Sequence, residues 1–92
     1  MKSLLCLLTI LLSGLAACAG PQPVPEAGTP TAAAFEARCG SCHALPHPAR
    51  HRAEEWPHLL ALMERRMAER GLAPLSDGER QRLLDYLQRH AR

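Results

Sequence analysis

Two cysteines three positions apart, Cys39 and Cys42, are followed directly by His43 in the stretch Arg38-Cys39-Gly40-Ser41-Cys42-His43. Residues of these types can do three kinds of chemistry. A C-x-x-C pair can cycle between dithiol and disulfide, but that motif belongs beside a βαβ pattern, and this chain carries no strand signal. Cys39, Cys42, His47 and His51 have the ligand types for zinc. Only four residues lie between Cys42 and His47, however, where zinc fingers of this type use about a dozen. The third chemistry is covalent haem, for which C-x-x-C-H is the attachment signature. Two thiols on one helical turn can form thioethers with the two vinyl groups on one porphyrin edge. The next residue then offers its imidazole to the iron.

With His43 as one axial ligand, the candidates for the other are Met63 and Met67. Both lie on an apolar helical stripe, where a methionine taken alone is more often core than ligand. His51 is in a loop and within reach. His58 stands two positions from Trp56 and so falls off that face. His47 and His90 read as solvent histidines. Arg50 and Arg52 can neutralise haem propionates or simply keep the loop soluble. The His43 imidazole is to be oriented by a carbonyl partner on its other nitrogen.

The elements that must position these residues are helical. A first helix begins after Pro30 with Thr31 as N-cap and runs to the cysteines. Phe35 lies four residues before Cys39 and shares its face. Pro46 and Pro48 mark a loop. A second helix starts near Glu54-Glu55, tolerates Pro57 in its first turn, and carries Trp56, Leu59, Leu60, Met63 and Met67 at helical spacing. Gly71 stops it. Ser76-Asp77-Gly78-Glu79 is an S-x-x-E capping box opening a third helix, with Leu83, Leu84 and Leu87 inward and Tyr86 at the edge of the stripe. The expectation is an all-α domain of three helices.

The chain before this domain reads differently. Met1 and Lys2 precede an apolar run over residues 4–12, too short to span a bilayer and suited to an export signal. The ending Leu15-Ala16-Ala17-Cys18 resembles a bacterial lipobox. That resemblance implies cleavage before Cys18 and acylation of it, and Ala19 in the next position favours the outer membrane. Residues 19–30 hold four prolines and two glycines and read as a tether. The organisation is then a lipoprotein signal at 1–17, a lipidated cysteine and Pro-rich linker at 18–30, and a haem domain at 31–92. The exported part carries arginine as its only lysine/arginine-type cation, interleaved with Glu and Asp. Its net charge is near +1 if Lys2 is lost, which gives no footing for nucleic acid. A core with one Phe, one Trp and one Tyr needs reinforcement by a cofactor, metal or disulfide.

Residues 31–92 resemble a small class I cytochrome c. The resemblance is carried by Phe35 before Cys39-Gly40-Ser41-Cys42-His43, Trp56 at the start of the middle helix, and Leu83-Leu84-Asp85-Tyr86-Leu87 in the last. It implies one covalent haem c on Cys39 and Cys42, with His43 as proximal ligand. It also implies crossing first and last helices, with Phe35 and Tyr86 at the crossing. The Trp-to-Met spacing of similar small cytochromes implies Met63 as distal ligand, with Met67 as the alternative. The middle portion is shorter than the family's, and no separate loop carries the distal ligand. The implied work is one-electron transfer between periplasmic or membrane redox proteins, without substrate chemistry, unless the chain is the electron-accepting subunit of an oxidoreductase. Two alternatives belong to other classes: a haem sensor or catalytic haem protein with an open or labile distal site, and a haem-free lipoprotein stapled by zinc or a disulfide.

Overall fold

The computed structural model describes residues 22–92. The export signal and Cys18 lie outside the described residues. Three α-helices follow in order: α1 (Pro30–Cys39), α2 (Trp56–Glu69) and α3 (Asp77–Arg89), with two single 3₁₀ turns, Pro48–Arg50 and Ala53–Glu55, before α2. No strand occurs among the described residues.

The first and last helices begin where a side chain satisfies an orphan N–H group, and α2 begins without a side-chain cap. In α1 the cap is Thr29, not Thr31. Its Oγ1 accepts the Ala32 N–H at 3.2 Å, which leaves Pro30 in the first turn, where a missing N–H is no loss. In α3 the capping box is complete. Ser76 Oγ accepts the Glu79 N–H at 3.1 Å, and the Glu79 carboxylate accepts the Ser76 N–H at 3.2 Å. Ser76→Ala is expected to cost about 1 kcal/mol, read as a lowered Tm. Helix α2 closes through Gly71 at φ +70, a left-handed position suited to glycine. The Leu72 N–H then returns to the Met67 carbonyl at 3.0 Å.

Phe35, Trp56, Leu60, Met67, Leu75, Leu83, Tyr86 and Leu87 form one buried cluster. Phe35 and Tyr86 join α1 to α3, with ring centroids 5.1 Å apart and planes tilted by 45°. Tyr86 is therefore fully inside rather than at the edge of its stripe. Arg80 bridges α2 and α3, donating to Glu64 at 2.7 Å and to Asp77 at 2.8 Å.

The segment between α1 and α2 has little regular structure, but it is held down at several points. The buried Trp56 indole donates to the Pro48 carbonyl at 3.0 Å. Gln88 donates to the Ala53 carbonyl at 3.1 Å, and the Arg92 N–H to the His51 carbonyl at 3.1 Å. His47, expected in solvent, is half-buried, and its Nδ1 accepts the Ala49 N–H at 3.0 Å as the cap of a 3₁₀ turn.

The proline-rich segment also departs from a plain tether in its last residues. Val24 packs against the core. The Tyr86 hydroxyl donates to the Pro25 carbonyl at 2.8 Å. The Glu26 carboxylate accepts from Arg89 at 2.7 Å and from the His90 ring, so His90 is a partner here rather than a free solvent histidine. Hydrogen bonds from His90 and then Arg89 hold the Glu26 carboxyl below its ordinary value of 4.5. A carboxylate of this kind adds stability above the ordinary value and loses it as pH falls through the lowered one. Side-chain carboxyl NMR should therefore place the Glu26 midpoint below 4.5, and Arg89→Gln should move it back up.

Candidate functional site

Helix α1 delivers Cys39 as its last residue, one turn past Phe35 and packed on the edge of the core. The helix then ends. The Gly40 N–H donates to the Glu36 carbonyl at 3.1 Å, and a Cβ on Gly40 would meet that carbonyl oxygen at 2.7 Å, so the turn between the two cysteines needs a glycine. Cys42 and His43 follow in a bend rather than on a continuing helical turn, which departs from two thiols on one turn. Both thiols are free. Burial pushes the Cys39 thiol up to about 11, against the charge of Arg38.

His43 is exposed, and its Nδ1 lies 2.8 Å from the Ala44 carbonyl oxygen. A carbonyl only accepts, so Nδ1 is the donor, which in the neutral ring leaves the lone pair on Nε2. That is the tautomer of a metal-binding histidine whose far nitrogen is fixed by a backbone acceptor.

The bend faces α2 across a cleft of about 380 Å³, within the size range of cofactor sites. Cys39, Cys42 and His43 lie on one side, with Met63 and Met67 on the helix opposite. Five residues separated by up to a third of the chain are thus brought to one cavity. Leu59, Leu60, Leu62 and Leu75 supply the apolar wall. The two methionines differ: Met67 is 6 % exposed and belongs to the core, whereas Met63 is half-buried and only packs against it.

The charged residues lining the cleft are all cationic: Arg38, Arg66 and Arg70. Arg38 is pinned by the carbonyls of Ala73 and Pro74, at 2.8 and 3.0 Å, and its Nε faces Glu79 at 3.7 Å. Arg66 pairs with Glu69 at 3.1 Å. Arg50 and Arg52, the expected propionate partners, do not line the cleft, and Arg52 pairs with Glu54 at 2.9 Å. Sequence reasoning missed Arg66 and Arg70, although each stands three positions after a candidate methionine, one helical turn along the same face.

The remaining histidines lie elsewhere, and His58 is exposed. His51 sits edge-on to Trp56, with centroids 5.1 Å apart, and its Nδ1 is 3.4 Å from the Glu55 carboxylate. Neither His51 nor His58 lines the cleft. The zinc set Cys39, Cys42, His47 and His51 is not gathered, and no group of three or more potential metal ligands is found among the described residues.

Fold and site define an all-helical domain with a cation-rimmed apolar cleft carrying a C-x-x-C-H bend. No protein family, characterised protein or solved structure matches the chain.

Proposed function

We propose that the protein is a lipid-anchored monohaem c-type cytochrome that carries single electrons between periplasmic or membrane redox partners, with the outer membrane as its favoured site. The observation that carries this reading is the cleft itself. Cys39, Cys42 and His43 of the C-x-x-C-H motif line it together with Met63, Met67 and four leucines, with three arginines and no carboxylate among its lining residues. An apolar, flat, dianionic cofactor suits such a lining, because apolar surface favours the ring and guanidinium groups favour its carboxylates.

Cys39 and Cys42 would hold haem c through thioethers, His43 Nε2 would be the proximal ligand and Met63 the distal one, with Met67 as alternative. When bound, the haem supplies reversible one-electron chemistry at iron, with methionine ligation raising its potential. The chain does the rest. The Ala44 carbonyl orients His43. Leu59, Leu60, Leu62 and Leu75 keep water from the cleft wall, and the arginines set a positive local field. Arg38 and Arg66, not Arg50 and Arg52, are the better-placed partners for propionates.

The half-buried position of Met63 supports it as the ligand, while Met67 acts as a core filler. In protein produced with haem c maturation, Met63→Ala should abolish the weak sulfur-to-iron band at the red end of the oxidised spectrum and leave Tm nearly unchanged. Met67→Ala should keep that band and cost about 2–5 kcal/mol of stability. The reverse pattern assigns Met67. Carbon monoxide uptake by the parent ferrous protein at neutral pH would favour the sensor or catalytic alternative, and absence of any haem spectrum would refute the cytochrome.

A further inference from the structure

The last residues of the proline-rich segment are fastened to the domain by independent contacts that the electron-carrying role does not require. The Pro25 carbonyl accepts the hydroxyl of the fully buried Tyr86 at 2.8 Å. The next carboxylate, Glu26, lies between Arg89, at 2.7 and 3.1 Å from two guanidinium nitrogens, and the His90 ring. Glu26 has φ 55, the one non-glycine residue with positive φ among the described residues, and Gly28 follows at φ 88. The Thr29 N–H and hydroxyl both donate back to the Glu26 carbonyl, at 3.0 and 2.8 Å. An uncommon backbone conformation in a non-glycine residue persists only where surrounding contacts impose it. Here they impose a closed turn locked to α3.

We infer that residues 24–29 are a clasp that fixes where the N-terminal segment leaves the domain, turning half of an apparently free tether into a set exit point. The inference rests on the anchored-cytochrome reading for its purpose and on the contacts above for its existence. The clasp grips the C-terminal end of α3 through Tyr86, Arg89 and His90. The cleft borders the other end, through Leu75 and the Arg38–Glu79 contact. Glu79 and Arg89 are ten residues apart, about 15 Å along a helix, and no residue of the clasp lines the cleft. With the clasp closed, only residues 19–23 remain between Cys18 and Val24, six steps that can reach at most about 22 Å. A partner can therefore reach the cleft without meeting the chain's attachment point.

The test uses the full chain, matured with haem and reconstituted in phosphatidylethanolamine–phosphatidylglycerol vesicles, exposed to a glutamate-specific endoprotease. Fragments are read by mass, and release of coloured protein by sedimentation. In the parent, cleavage after Glu26 should be no faster than after Glu64 and Glu69 in α2. In Tyr86→Phe/Arg89→Gln it should be at least tenfold faster, with the α2 sites unchanged. Equal rates after Glu26 in parent and double variant would overturn the clasp. Should the double variant also be cut faster in α2, Arg89→Gln alone, a change at an exposed side chain, decides by the same comparison. Protein that lacks haem or fails to sediment with vesicles counts against the anchored-cytochrome reading and leaves the clasp result standing, because the fragments are still read by mass.

Discussion

Replacing Trp56 by alanine is expected to leave the domain largely unfolded at room temperature. The side chain is fully buried at the start of α2, and truncating a buried tryptophan costs about 3–5 kcal/mol. Its indole also donates to the Pro48 carbonyl inside the loop between α1 and α2, which would keep only the longer bond from the His51 N–H at 3.5 Å, and losing a hydrogen bond adds about 0.5–1.5 kcal/mol. A domain of this size rarely has more than about 3–5 kcal/mol to lose. Trp56→Phe separates the two contributions. It keeps most of the ring bulk and loses the hydrogen bond, so it should fold with a lowered Tm. Far-UV circular dichroism during thermal unfolding checks both. A Trp56→Ala protein as stable as the parent would mean that the loop finds another way to close over the core.

The second large effect is expected at the cysteines. Under the proposed function, Cys39→Ala/Cys42→Ala should remove every covalent attachment. No haem should survive a denaturing gel, and any pigment should extract into acidified organic solvent. Either single variant should retain one thioether and a shifted absorption band. Gly40→Ala offers a geometric counterpart. The added Cβ would meet the Glu36 carbonyl oxygen at 2.7 Å, so the bend must move and the yield of attached haem should fall with both cysteines present. Covalent haem in the double-alanine protein would show that attachment does not use these residues.

What could be read ahead of the structure was what sequence neighbours settle among themselves. The Ser76–Glu79 box, Pro57 in a first turn, the stop at Gly71 and the Trp56–Met67 stripe all depend on residues within a turn or two of one another. Each appears in the structure close to where local rules place it. The helix start at Thr29 was misjudged by two residues because Pro30 fits the first turn better than the position before the cap. The cysteines, His43 and both methionines were legible as types, and the packing of α1 and α2 against α3 brings them to one cleft. Arg38, Arg66 and Arg70 were not legible as a group, since their meeting depends on how α1 and α2 each sit on α3. The Glu26 contacts were hidden for the same reason: a carboxylate in a proline-rich stretch finds partners more than sixty positions away.

The three cations around the cleft are all arginine. A guanidinium keeps its proton throughout the pH range in which proteins stay folded, so this positive field cannot be titrated away. It can be screened: the Debye length falls from about 10 Å at 0.1 M salt to about 3 Å at 1 M. An anionic group entering the cleft mouth therefore meets arginine charge that answers to ionic strength and not to acidity.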